Sequence, residues 1–140
     1  MKILVPVDGS EYTKRMLAYI AAHDELLGAQ HAYVFLNVVT PLPTYASRFL
    51  DRSTIDGYYR EESQRVLQPI RAFVEQQRWT AELVHACGHP AETIAARAAA
   101  AGSELIVMGS HGHSALGGAV LGSVASGVLA RCKVPVLLVR

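Results

Sequence analysis

Five short apolar runs, each separated from the next by a stretch with helical spacing, constrain this chain more than any other feature. They are Ile3-Leu4-Val5-Pro6-Val7, Tyr33-Val34-Phe35-Leu36-Asn37-Val38-Val39, residues 80–86, Leu105-Ile106-Val107-Met108 and Val134-Pro135-Val136-Leu137-Leu138-Val139. Strands that alternate with helices return across the sheet through each helix and align parallel, with helices on both faces and right-handed crossovers. The second run is nearly continuous in apolar residues, as an inner strand covered on both faces requires. Residues 80–86 alternate Glu82 with Leu83 and Val84 with His85, the pattern of a more exposed, edge-like strand. In the last run Pro135 cannot donate to a ladder, which places that strand at a sheet edge. The expected fold is a doubly wound, Rossmann-like α/β domain with a five-stranded parallel sheet in the order 3-2-1-4-5.

The intervening segments read as follows. Residues 11–28 form a helix with Met16, Ile20 and Leu27 on one face and Ser10 as its N-cap. Residues 40–57, with Pro41, Pro43 and Gly57, read as a long surface loop or lid, and residues 58–77 as a helix with Val66, Ile70, Phe73 and Val74 on its stripe. An alanine-rich helix opens at Pro90, runs through Ile94, Ala95, Ala98 and Ala99, and closes at Gly102. The last helix carries Val120, Leu121, Val124, Val128 and Leu129.

A chain of 140 residues, 51% hydrophobic, buries one good core, so residues 1–140 are expected to be a single domain. Thirteen basic and 12 acidic residues give a net charge of +1, with no basic stripe interleaved with aromatics, which argues against nucleic acid. The opening run is too short for a signal peptide and stops at Asp8, and no segment is apolar enough to span a membrane. Cys87 and Cys132 form no C-x-x-C pair and are expected to be small buried thiols of a cytoplasmic protein in a reducing compartment.

The chemistry concentrates where the fourth strand meets the last helix. Gly109-Ser110-His111-Gly112 is followed after nine residues by Gly122-Ser123. Glycines at a strand-to-helix turn admit positive φ and bring a ligand close to bare backbone, while the first amides of the helix and its dipole favour an anion. Ser123 adds a hydroxyl. Two familiar phosphate sites are excluded. Gly117-Gly118-Ala119-Val120-Leu121-Gly122-Ser123 has the Gly-x4-Gly of a P-loop but a serine where the lysine must stand, and no G-x-G-x-x-G follows the first strand. With the first strand central, the order reverses between it and the fourth, so Asp8 faces Gly109 and Gly112 across the crevice where such sheets bind ligands. The glycines could equally serve only the turn, and Asp8-Gly9-Ser10 could be a turn with side-chain capping. His111 and His113 have no third partner for a metal and read as loop histidines, with His113 within reach of a phosphate.

Val5-Pro6-Val7-Asp8-Gly9-Ser10, Gly109-x2-Gly112-x9-Gly122-Ser123 and the closing run from Val134 to Val139 together resemble the universal stress protein family, over essentially the whole chain. The resemblance implies a five-stranded α/β fold, a homodimer through the last strand, and membership of the ATP-binding subgroup, which the glycine motif distinguishes. It implies ATP with Mg²⁺: phosphates on Gly109, Gly112, Gly122 and Ser123 with backbone help from Val124, Asp8 with Pro6 and Val7 on the nucleoside side, and Val38 and Val39 near the adenine. Hydrolysis needs a group to position water and a charge on the γ-phosphate, yet the glycine loop brings no Lys or Arg and no nucleophile or paired carboxylates stand out. The expectation is a regulatory module in which ATP orders residues 40–57 and alters a surface for a protein partner. The alternatives are a dimeric scaffold that binds no nucleotide, a slow ATPase, and an adenylyl-transferring or flavin-dependent enzyme, for which the Ser-Gly-Gly-x-Asp-Ser loop is missing.

Overall fold

Side chains on successive strand residues point to opposite faces, so a strand apolar at every position must be covered on both. In the computed structural model, which describes residues 1–114, 118 and 120–140, this is how the chain folds. Its elements are β1 (Lys2–Pro6), α1 (Glu11–Ala22), α2 (Asp24–Leu27), β2 (Ala32–Val39), α3 (Thr44–Ser47), α4 (Arg52–Gln77), β3 (Thr80–Cys87), α5 (Pro90–Ala100), β4 (Leu105–Gly109), α6 (Ser123–Arg131) and β5 (Val136–Val139). The strands form one parallel sheet in the order β3-β2-β1-β4-β5. The expected order holds, with β2 inside and β3 and β5 at the edges.

Two cores sandwich the sheet. Ile3, Val5, Phe35 and Val107 pack on one side against Met16 and Ile20 of α1, Leu27 of α2 and Ile70 and Val74 of α4. Leu4, Leu36, Ile106 and Met108 pack on the other against Ile94 and Ala98 of α5 and Ala125 and Val128 of α6. Pro135 lies just before β5, where only its carbonyl is needed: it accepts from Ile106 N at 2.9 Å. Gly102, at φ +62°, closes α5 as expected. Among the described residues no helix is long and apolar enough to cross a membrane.

Several local expectations are corrected. Residues 40–57 are not one long loop: α3 occupies Thr44–Ser47, and α4 begins at Arg52 rather than at Tyr58. The early start has a local cause, because Asp51 caps α4 by accepting from Thr54 N at 2.7 Å, and Gly57 sits in the helix with nothing within 4 Å of where a Cβ would stand. Tyr59 Oη accepts from Leu42 N at 2.9 Å and ties down the preceding connection. The first helix breaks at His23, whose ψ of 50° leaves the helical region, and α2 then returns Leu27 to the core. Ser10 occupies the N-cap of α1 but makes no side-chain cap bond. Val120 and Leu121 precede α6, and Val120 and Leu129 are exposed, so the buried stripe is Ala125 and Val128. Cys87 is exposed and Cys132 half-buried, so the free thiols are not the buried pair expected. Gly117 and Ala119 of the rejected P-loop alignment lie outside the described residues.

Candidate functional site

The chain leaves β1 at Pro6, and Val7 N still donates to Leu36 O of β2 at 2.9 Å. It then turns sharply at Gly9, whose φ of +76° is costly for residues with a Cβ. Asp8 holds this turn. Its Oδ1 accepts from Ser10 N at 2.9 Å and from Thr13 Oγ1 at 2.9 Å, while Asp8 N donates to Thr13 Oγ1 at 3.2 Å. Burial pushes the Asp8 carboxyl up, but hydrogen bonding from Ser10 and Thr13, together with the nearby His113, outweighs burial and holds it below 3.8. A lowered folded-state value stabilises the protein above the unfolded value, and that contribution is lost as pH falls through the folded one. The unfolding free-energy difference between the unsubstituted protein and Asp8→Asn is therefore expected to be constant at neutral pH and to shrink as pH falls below about 4, where the unfolded chain takes up the Asp8 proton before the folded one does. Urea unfolding from pH 7 to pH 3 measures it, and a difference that does not change with pH would contradict this role for the ionised carboxylate.

The glycine loop closes against this turn from the far end of the sequence. His113 Nε2 donates to Asp8 O at 2.6 Å. A Cβ on Gly112 would stand 2.5 Å from Asp8 Oδ2, and one on Gly109 would stand 2.9 Å from Tyr12 Cβ. Gly122 N donates to Ser110 O at 2.7 Å as the loop folds back to start α6, and a Cβ there would lie 3.1 Å from both His111 Cα and Ser110 O. The glycines are therefore required by the loop's own packing as well as open to a ligand. Ser110 Oγ and His111 Nδ1 share a hydrogen bond at 3.0 Å, and the Tyr12 ring lies 5.2 Å from the His111 ring.

At the start of α6 the N-cap is Gly122, which has no side chain with which to cap the helix, and Ser126 N, bonded to Gly122 O at 3.0 Å, makes the first helical bond. The amides of Ser123, Val124 and Ala125 come before it, where a helix has orphan donors and the positive end of its dipole. All three residues line a cleft of about 450 Å³ beyond the carboxyl ends of β1, β2 and β4. All twelve residues singled out in the sequence line that same cleft: Pro6, Val7, Asp8, Val38, Val39, Gly109, His111, Gly112, His113, Gly122, Ser123 and Val124.

The sequence reading missed the floor and one wall. Asn37 sits in the floor, its Nδ2 donating to Val7 O at 2.9 Å and its Oδ1 accepting from Ser63 Oγ of α4 at 3.1 Å. Both are buried, at 5% and 1% exposure, so this bond fixes α4 over the cleft. A single polar residue within an apolar inner strand was the available signal. The wall itself is Glu62, Arg65 and Val66 of α4; helical spacing marked Val66 only as part of the buried stripe, and nothing local in the sequence marks Glu62 and Arg65.

The cleft thus presents the first amides of α6 at one side and the ends of β1 and β2 along its length. Comparison with known proteins gives a consistent answer. The universal stress protein family model matches residues 1–140. A universal stress protein of Thermus aquaticus is 34% identical over 142 residues, covering 99% of this chain and 97% of that one. The solved structure of the protein MJ0577 superposes with a TM-score of 0.83 at 28% identity, over 99% of this chain and 94% of that one. The universal stress protein of Archaeoglobus fulgidus in complex with dAMP shares the fold, with a TM-score of 0.69 at 21% identity over 100% and 98% of the two chains. Strand order, the glycine-lined crevice at the switch point and a match along the whole length converge: the chain belongs to the universal stress protein family.

Proposed function

We propose that the cleft binds ATP and that occupancy makes this chain a nucleotide-dependent regulatory module. The observation that carries the reading is the start of α6, with glycine as its N-cap and Ser123, Val124 and Ala125 in its first turn, opening into the cleft beside the Gly109 and Gly112 backbone. Such a terminus suits phosphate through its first-turn amides and its dipole. The cleft volume falls within the roughly 300–1,000 Å³ common for small-molecule sites. That a protein of the same fold is in complex with dAMP supports an adenine nucleotide.

In this reading Gly109, Gly112, Gly122 and Ser123 take the phosphates with the Val124 amide, and His111 and His113 flank them. Asp8, Pro6 and Val7 face the nucleoside, and Val38 and Val39 wall the base. Among the described residues no three His, Cys, Asp or Glu side chains gather to hold a metal, so Mg²⁺ would travel with the triphosphate. The Asp8 carboxylate is held in its turn and its pKa is depressed, which makes it a weak general base. Turnover is accordingly expected to be far below the roughly ten per second of an ordinary enzyme. The outer edge of β5 at one end of the sheet suits symmetric pairing with a second copy, and free Cys87 and Cys132 suit a reducing, cytoplasmic setting.

One observation favours a second reading, a dimeric scaffold without nucleotide: the crowding at Gly109, Gly112 and Gly122 explains these glycines without any ligand. Release of small molecules from freshly purified protein, analysed by mass spectrometry, followed by calorimetric titration of the stripped protein with Mg-ATP, separates the two. Co-purified adenine nucleotide, or a Kd on the order of micromolar, which corresponds to about 8 kcal/mol, is expected. An empty protein that gives no heat with ATP would establish the scaffold instead. Sedimentation of the same sample is expected to show a dimer in either case, and a monomer at tens of micromolar would remove the pairing through β5.

A further inference from the structure

We infer that Arg65 of α4 is the side chain by which this cleft selects ligands for phosphate charge, and that Glu62 occupies its guanidinium until a phosphate displaces it. The inference rests on the nucleotide reading above and adds a specificity determinant outside the glycine loop. Among the described residues that line the cleft, Arg65 is the only lysine or arginine. A site whose anion hold is otherwise made of backbone amides, a hydroxyl and two histidines thus has one permanent positive charge, delivered by a helix that follows β2.

The position of that charge is determined from two directions. Ser63, two residues before it, is buried and bonded to Asn37 in the cleft floor at 3.1 Å. Val66, next in the chain, packs over the β1–α1 turn, with its Cγ2 3.4 Å from where a Cβ on Gly9 would stand. Arg65 lies between these two fixed points, so its Cα cannot drift from the cleft. Its guanidinium reaches Glu62 Oε1 at 3.2 Å and Glu61 Oε1 at 3.5 Å. Glu62 lines the cleft too.

These ion pairs are poor candidates for structural fasteners. The Arg65 side chain is 68% exposed and Glu62 37%, and exposed pairs at helical spacing contribute little to stability because water solvates both partners and screens them. What such a pair does well is orient. Two carboxylates on one guanidinium leave other N–H donors of its five-donor fork available, and a phosphate can replace a carboxylate in the same geometry. With Arg65 neutralised, Glu62 would present an uncompensated negative charge in the lining of a site for a polyanion, with exposed Glu61 adding to it from outside the lining. Arg65 therefore acts twice, as a counter-charge to the acids and as a partner for the ligand, and both effects grow with phosphate charge.

The test is equilibrium binding of ATP, ADP, AMP and adenosine to the full chain, unsubstituted and as Arg65→Gln and Glu62→Gln, at low and at about 0.5 M salt. Arg65→Gln is expected to weaken ATP by roughly tenfold at low salt, ADP and AMP progressively less, and adenosine not measurably, with the loss shrinking at high salt. Glu62→Gln, which removes a competitor for the guanidinium, is expected to tighten ATP a few-fold. Thermal unfolding of both variants without nucleotide should match the unsubstituted protein, because the exchanged groups are exposed. Equal weakening of all four ligands, or none, would overturn the role of Arg65 while leaving nucleotide binding intact. Failure of the unsubstituted protein to bind any of the four would overturn this inference together with the reading beneath it.

Discussion

Ser123→Glu is expected to weaken Mg-ATP binding by at least about a hundredfold, equivalent to roughly 2.7 kcal/mol, while the unliganded protein keeps or slightly gains stability. The two halves of this prediction have one cause. Ser123 is the first residue of α6, exposed and on the cleft wall. A carboxylate there meets the positive end of the helix dipole, an interaction worth about 0.3–1 kcal/mol to the free protein. The same carboxylate stands where the proposed phosphates need the amides and repels them, by several kcal/mol at contact distance in a partly desolvated site. Ser123→Ala, which only deletes a hydroxyl donor, should cost about 1 kcal/mol of binding. The substitution that first suggests itself, Gly122→Val, discriminates poorly: its side chain would press on His111 Cα and Ser110 O and rebuild the loop whether or not a nucleotide binds there. Calorimetry paired with thermal melts of Ser123→Glu checks the prediction. If that variant bound Mg-ATP within threefold of the unsubstituted protein, the phosphates would not lie at the start of α6.

Phe35→Ala should cost about 3–5 kcal/mol of folding stability, a large part of the 5–15 kcal/mol that a domain of this size has in total. Phe35 is fully buried in β2, in register with Val5 of β1 and Leu83 of β3, and its ring lies 5.9 Å from that of Tyr33. Truncation removes the transfer free energy of a benzyl group and opens a cavity that flanking strands cannot close without breaking their ladders. Urea titration should show a lower midpoint with an unchanged slope, since the surface exposed on unfolding is nearly the same. Val120→Ala, at a side chain 74% exposed, serves as the control and should stay within about 0.5 kcal/mol. Saturating Mg-ATP should raise the midpoint of Phe35→Ala, because a ligand that binds only the folded state shifts the equilibrium by mass action. A loss below about 1 kcal/mol would mean that the inner-strand packing is far looser than the buried ring implies.

How much of this was legible in the residues differs by feature, for physical reasons. The parallel sheet, the inner β2 and both edge strands could be read directly, because burial on two faces, burial on one, and a proline that cannot donate each leave a periodic or compositional trace in adjacent residues, whereas the central β1 came from the common strand order of such sheets. The glycine loop was legible because a chain that must approach itself or a ligand closely tolerates no Cβ, and Gly109, Gly112 and Gly122 each meet such an approach. Residues 40–57 misled, because two prolines and a glycine outweighed a single capping aspartate in the reading, whereas in the fold Asp51 starts α4 and the glycine within it is simply exposed.

The sequence by itself determined the layers, the direction of every strand and the end of the sheet at which a site could form, since these follow from local periodicity and chain chirality. Only the tertiary structure decided what completes that site. Asn37 meets Ser63, His113 meets the Asp8 carbonyl and Arg65 comes over the cleft through contacts between elements far apart in the chain, and no pattern of neighbouring residues encodes a distance that packing alone sets.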